Sequence, residues 1–337
     1  MAVCNGPNPS FDYYLAPRLA AATGLDVTLA ELRRPWALKD DALDDALVLF
    51  CRYVSASWLG RLERRPPSAC ALFLDDDLAA LAIDPATPPA YRRRVWRWGP
   101  SQWPSLARRL HCLMVSTPVL AERFAGCGPV VLPPLAGTDE LRLRSSGHFE
   151  APKFGFHATA VHVAEHRWLA PIVRAVLDAT PGLQVEVVAN GSAARFWDHP
   201  RVHVAPQRPW PEYKARQLDG ALDLLLAPLL PGRANQARAA VKRIDAARVG
   251  AALVVSDAEI YGVTRAEREE GMHLPLDANA WIEGLTALAG SPDRLRRLAA
   301  LNRQVLSEER SRARPLVEPA GAEGWWRLSS QDEPGPA

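Results

Sequence analysis

Between Pro231 and Asp257 the chain reads PGRANQARAAVKRIDAARVGAALVVSD. Arg238, Lys242 and Asp245 fall at i, i+4 and i+7, so on a continuous helix they share one stripe. Pro231 and Gly232 read as a turn, Asn235 as an N-cap and Gly250 as a stop, which predicts one helix over 235–249 followed by a buried strand. Ala240, Val241, Ile244 and Ala247 can form its packing face. A helix start with free amides, an arginine one turn in and a lysine two turns in suits a diphosphate. The macrodipole contributes about 0.3–1 kcal/mol, and each charge-assisted hydrogen bond about 1.5–3 kcal/mol. Asp245, one turn further on, can accept from a ribose hydroxyl. The same spacing also describes a solvated amphipathic helix with an i, i+3 Lys–Asp pair, so spacing alone leaves both readings open.

A second group of polar residues lies in KFGFHATAVHVAEHRWLAP, residues 153–171. A histidine just after a strand can donate to a phosphate or sugar oxygen. His162, Glu165 and His166 also spell H-x-x-E-H, the pattern of one class of zinc hydrolase. That chemistry needs both histidines on one face of a continuous helix, a glutamate base and a distant third ligand. Pro171, five residues after His166, is expected to kink such a helix or mark its early turns.

A third group is FLDDDLAALAIDP, with Asp75, Asp76 and Asp77 directly after an apolar run. Three adjacent carboxylates repel, and burial favours protonating one of them. They can cap a helix N-terminus, form a metal-binding D-x-D, or face an acceptor. Asn5-Gly6-Pro7-Asn8 and Arg52 follow other apolar runs, and there is no G-x-G-x-x-G dinucleotide fingerprint. Trp96, Trp98 and Trp103 can form an acceptor platform or pack in the core. Trp210 and Tyr213 follow a further short strand.

The run N-x-A-R-x-x-x-K-x-x-D-A-x-x-x-G-x-x-x-V-x-S-D, from Asn235 to Asp257, resembles the donor-binding region of GT-B glycosyltransferases of the large family-four type. His157, Thr159, His162 and Glu165 likewise resemble, in order, the opening strand–loop–helix of that domain. The resemblance implies a nucleotide-diphosphate sugar held by His157, Asn235, Arg238, Lys242, Asp245 and Tyr261. It implies catalytic roles for Asp76, Asp77 and His162, and no obligatory metal or cofactor. The transfer would be to a glycan, a lipid-linked or another acceptor, with retention of configuration, as in bacterial polysaccharide biosynthesis. Two departures stand out. The first glutamate of the family's Glu-x7-Glu pattern falls on Ala237, and the second is shortened to Asp245. They leave a non-catalytic, nucleotide- or sugar-binding module as an alternative.

These residues need strands to present them. Apolar runs predict strands at 46–50, 69–74, 113–116 and 130–132, then at 153–157, 183–189, 202–205, 222–227 and 252–256. Helices are expected near 165–179, 210–219, 278–289 and 292–309. The alternation predicts an α/β chain with two parallel sheets. The expected architecture is GT-B, two facing Rossmann-like domains with an interdomain cleft. An acceptor-side domain spans 1–135, a linker 136–152, a donor domain 153–310 and a tail 311–337, in which Trp325 and Trp326 suggest some packing.

Composition supports this. The chain has 337 residues and a net charge of +2, so no basic coat for nucleic acid is required. Only Lys39, Lys153, Lys214 and Lys242 are lysines among the 40 basic residues, which makes Lys242 conspicuous. The longest apolar stretch, Leu222 to Leu230, contains Asp223 and Pro228, so no membrane helix is expected. MAVCNGPNPS lacks the regions of a secretory signal. A cytoplasmic protein is expected, with peripheral contact to the inner membrane left open. Cys4, Cys51, Cys70, Cys112 and Cys127, without a C-x-x-C pair, read as reduced cysteines.

Overall fold

The computed structural model describes residues 1–22, 26–142, 152–158, 160–219, 222–313, 316–318 and 327–328. Thr159, Trp325 and Trp326 lie outside the described residues. The chain divides into two compact units. The first is Met1–Leu135 with Gln236–Ala239 and Arg312–Ala337, and the second is Ala136–Asn235 with Ala240–Ser311.

The first unit is built on β1 (Ala2–Cys4), β2 (Leu29–Glu31), β3 (Leu47–Cys51), β4 (Ala69–Leu74), β5 (Cys112–Val115) and β6 (Val130–Val131). All pair in parallel, in the order β2-β1-β3-β4-β5-β6. Its helices are α1 (Ala16–Leu19), α2 (Ala56–Arg64), α3 (Leu78–Ile83), α4 (Pro89–Trp98), α5 (Trp103–Ala107) and α6 (Pro118–Arg123). Side-chain caps start several of them. Asp77 accepts from the Ala80 amide at α3, and Thr117 from the Leu120 amide at α6.

The second unit carries β7 (Lys153–His157), β8 (Gln184–Val188), β9 (Val202–Ala205), β10 (Leu224–Ala227) and β11 (Ala252–Val255). They are again parallel, in the order β11-β10-β7-β8-β9. Its helices are α7 (Val163–Ala179), α8 (Trp210–Asp219), α9 (Arg233–Gln236), α10 (Val241–Val249), α11 (Arg265–Glu269), α12 (Ala278–Ala289) and α13 (Pro292–Arg312). The expected α/β class with two parallel sheets is therefore what the chain forms.

Every residue of β4, β10 and β11 is buried, as expected of strands covered on both faces. Each fully buried Leu, Val or Phe of these strands contributes roughly 1.5–3 kcal/mol to its core. Helix α7 runs through Pro171. Pro171 and Arg167 are both exposed, so water can satisfy the Arg167 carbonyl that the proline cannot bond.

Four expectations change. Strand β2 was not foreseen. The helix expected over 235–249 is broken: α9 ends at Gln236, and α10 begins at Val241 with Ala240 at its N-cap position. Residues 236–239 pack with the first unit instead, where the Ala237 carbonyl accepts from Thr117 Oγ1. The segment read as a linker is partly packed, since Ala136 and Glu140 are buried. Helix α13 extends to Arg312, into the expected tail, and Val317–Glu318 pairs antiparallel with Arg327–Leu328. No helix among the described residues is long and apolar enough to cross a membrane.

Candidate functional site

In a parallel sheet, ligands bind beyond the carboxyl ends of the strands, where the strand order reverses. The reversal points here are β1/β3 in the first unit and β7/β10 in the second. Charged side chains collect at both.

In the second unit, side chains of β7 alternate. Phe154 and Phe156 enter the apolar core, whereas Lys153 and His157 meet residues of β8 and α8. His157 Nδ1 lies 3.0 Å from the Tyr213 hydroxyl, and its Nε2 lies 3.2 Å from Glu186 Oε1. Glu186 Oε2 accepts from Lys153 Nζ at 3.0 Å and Arg216 Nη2 at 2.8 Å. The Tyr213 hydroxyl accepts from Gln217 Nε2 at 2.8 Å, and Gln217 Oε1 accepts from Arg248 Nη1 at 2.9 Å. Arg248 Nη1 also donates to Asp245 Oδ1 at 3.0 Å. Lys242 Nζ donates to Asp245 Oδ2 and to the His157 carbonyl, both at 2.8 Å. The chain of contacts thus closes into a ring beneath the end of β7.

Burial lowers the basicity of His157 despite Glu186 beside it, which favours the neutral imidazole. Burial alone would raise Glu186, but the His157 and Lys153 hydrogen bonds win and hold its carboxyl well below the usual range. Burial, then Asp245, pushes the Tyr213 hydroxyl up. Arg248 is sealed in, with Glu140 Oε1 3.2 Å from Nη2 and the Trp210 ring centroid 5.4 Å away. Lys153, His157, Glu186, Tyr213, Arg216 and Gln217 also border a cavity of about 20 Å³, room for about one water.

Asn235 does not cap a helix. It sits in α9, and its Nδ2 donates to Glu165 Oε1 at 2.9 Å and to the Leu230 carbonyl at 2.8 Å. Arg238 lies outside α10, so the stripe it was to share with Lys242 and Asp245 does not form. Asp245 is buried, with one oxygen on Lys242 and the other on Arg248. Tyr261 is buried after β11, and its carbonyl accepts from Arg243 Nε at 2.7 Å.

His162 Nδ1 is 3.5 Å from Glu165 Oε2, a contact that offsets the burial of Glu165 and lowers its pKa. His166 has no exposed surface. Its Nδ1 accepts from Trp197 Nε1 at 2.9 Å, and burial, then the His162 charge, lowers its pKa to about 4. Among the described residues, no three His, Cys, Asp or Glu side chains are grouped to hold a metal. The geometry therefore gives no support to the zinc-hydrolase reading of residues 162–166.

In the first unit, β4 ends at the Asp75–Asp77 run. Arg52, immediately after β3, adopts φ 70°, a conformation rare for a residue with a Cβ. That backbone aims its guanidinium into the cluster. Nη1 meets Asp75 Oδ1 at 2.6 Å, Nη2 meets Asp76 Oδ2 at 2.7 Å and the Tyr91 hydroxyl at 2.9 Å, and Nε meets the Tyr53 hydroxyl at 3.0 Å. Burial opposes the Arg52 charge, but Asp75 and the two tyrosines outweigh it and raise its pKa. Burial raises the Asp75 carboxyl, with Arg52 offsetting part of the effect. Asp75 also accepts from Ser10 Oγ. Asp76 Oδ1 lies 3.1 Å from Arg238 Nη1. Asp77 caps α3 and pairs with Arg123 Nη1 at 2.5 Å. Asn8, in the loop after β1, turns back on itself through its bonds to Gly6 and Phe11. Trp98 stacks edge-on with Tyr53, Trp103 packs on Phe124, and Trp96 is exposed.

Sequence reading missed Glu186, Arg248, Glu140 and Tyr91. A usable signal existed for Glu186. A carboxylate in a strand buried on both faces demands a partner, and Lys153 opens the neighbouring strand.

No protein-family model matches the chain, and no curated protein matches it. Among solved structures, a trehalose-6-phosphate structure from E. coli bound with UDP-2-fluoro glucose is 13% identical over 82% of this chain and 72% of its own, with a TM-score of 0.49. A pneumococcal O-GlcNAc transferase, GtfA, in complex with UDP and GlcNAc is 13% identical over 78% and 53%, with a TM-score of 0.48. A glycosyltransferase from Rickettsia africae is 10% identical over 78% and 72%, with a TM-score of 0.49. Likenesses of this size establish no residue correspondence.

Proposed function

We propose that the chain is a nucleotide-sugar-dependent glycosyltransferase acting on a glycan, lipid-linked or other acceptor. The observation that carries this reading is convergence. The two segments whose sequences resemble a sugar-nucleotide site are far apart in the chain. Yet Lys242 Nζ donates to the His157 carbonyl and Asn235 Nδ2 to Glu165. Both contacts lie in the second unit, and the first sits at the strand-order reversal.

In this proposal Lys242 is the central phosphate ligand. Its side chain is 24% exposed, and two of the three Nζ protons are spent on Asp245 and the His157 carbonyl. Arg238, 23% exposed and paired with Asp76, is the second proposed phosphate ligand. Charge stabilisation of the departing nucleoside diphosphate by these cations supplies the rate enhancement. Asp245, clamped between Lys242 and Arg248, is proposed to aim the lysine rather than reach a ribose. Retention at the anomeric carbon, which needs no strong base, is the proposed outcome. Asp76 is proposed on the acceptor side, and His162 as a donor to sugar or phosphate oxygens.

A thermal-shift series with nucleoside diphosphates tests the site. The expected result is stabilisation, worth about 2.7 kcal/mol at a hundredfold excess over Kd, that is lost in Lys242→Ala. Undiminished binding by Lys242→Ala removes the site assignment. A non-catalytic binding module is the second reading. Ala237 favours it, because it stands in place of a family glutamate and has no exposed surface. Release of sugar from any nucleotide-sugar in a donor screen decides for the enzyme, and binding without release decides for the module.

A further inference from the structure

Helix α4, PAYRRRVWRW, contains four arginines and no acid. Its inner face is committed. Val95 is buried, Tyr91 accepts from Arg52, and Trp98 stacks on Tyr53. Its outer face carries Arg93, Trp96 and Arg97 at i, i+3 and i+4, all exposed. None of its arginines forms an ion pair with a described residue, although Arg94 lies 4.7 Å over the Tyr91 ring. Two neighbours extend this face. Arg33 stacks over Trp98 at 4.9 Å, which brings the segment carrying Trp36, 69% exposed, to the end of α4. Helix α3 packs along α4 and ends at Ile83, 70% exposed.

We propose that this face docks the protein on an anionic lipid surface. Each arginine near such a surface strengthens binding about fivefold, and tryptophan settles at the headgroup level. The aliphatic Ile83 decides against single-stranded nucleic acid, which rewards cations and stacking rings but not a branched alkyl group. The exposed large apolar side chains among the described residues (Val27, Leu29, Trp36, Ile83 and Trp96) all belong to the first unit. Docking stands independently of the glycosyl-transfer reading.

The test is co-sedimentation of the full chain with vesicles of phosphatidylcholine, with and without phosphatidylglycerol. Binding to the mixed vesicles is expected, at least about tenfold stronger than to phosphatidylcholine alone, and weakened by salt. Arg93→Glu with Arg97→Glu is expected to lower it about tenfold or more, and Trp96→Ser several-fold, with melting temperatures unchanged because all three side chains are exposed. Equal binding to the neutral vesicles, no binding, or variants that bind like the native chain would each overturn the proposal. So would capture of a single-stranded oligonucleotide in preference to the mixed vesicles.

Discussion

The first unit presents its charges from loops that follow β3 and β4, whereas the second runs them beneath β7 and β8. Arg52 serves Asp75 and Asp76 from a left-handed backbone turn. Arg248 serves Asp245, Glu140 and Gln217 from within regular helix α10. One arrangement costs backbone strain, about 1–3 kcal/mol, to hold Asp75 and Asp76 with their side chains 13% and 8% exposed. The other has no such backbone strain but buries the charges more completely. The contrast teaches that similar acid–arginine chemistry can be held by a strained loop in one place and by a regular helix in another.

The most severe test of that contrast is Arg248→Ala. It leaves Glu140 buried without its cation and Asp245 with Lys242 alone, and a loss of about 3–5 kcal/mol is expected in denaturant unfolding. A loss below about 1 kcal/mol would show that the ring is no frame. Arg52→Ala is expected to cost less than Arg248→Ala, since its loops can relax. Arg52→Gly should be about 1 kcal/mol more stable than Arg52→Ala, because glycine adopts positive φ freely. Equal stability of the two would remove strain from the account.

Acid response separates the regions by sign. Glu186 is held below its ordinary range. Its contribution is therefore present above the unfolded-state pKa of about 4.3 and lost as pH falls toward the folded value. Asp75 is raised, so its folded form takes a proton before its unfolded form does, and its term favours folding as pH falls through the raised value. Thermal melts across the acid range should show a shallower loss in Glu186→Gln and a steeper one in Asp75→Asn. The same direction of change in both variants would contradict the contrast. His166, lowered to about 4, adds a slope of its own. Stability should fall as pH drops from about 6.5 toward 4, and His166→Gln should flatten that stretch. Asp77→Ala removes the cap of α3, about 1 kcal/mol, together with the pair to Arg123, and its summed loss in denaturant unfolding should stay below that of Arg248→Ala.

Legibility in the sequence followed burial. Strands 69–74 and 153–157 were placed to the residue, because apolar runs bounded by turn formers or charges have few alternatives. Strand β2 escaped because it has three residues at a sheet edge and exposes Leu29. The helix over 235–249 was over-read. Its alanine-rich composition is helical throughout, but Ala237 and Arg238 are drawn to Thr117 and Asp76 by contacts that no local pattern encodes. For the candidate site, Lys242 and His157 were singled out by the resemblance of their segments, since spacing alone left a solvated helix open. Their bond to each other was not, since it depends on β7 and α10 meeting after a long excursion of the chain. Arg248 was invisible for the opposite reason, because a terminal-turn arginine on a helix usually faces water.

The strand order of the second sheet also sets a timetable. Strand β7 is made first yet ends in the centre, between β8 and β10. Its β8 edge can zip soon after translation. Its other edge waits for the 70 residues from His157 to Ala227. At synthesis rates of about 5–20 residues per second, that is roughly 4–14 s. During that interval an apolar strand edge stands open on the ribosome, so the nascent second unit is the part of this chain most in need of a chaperone's cover.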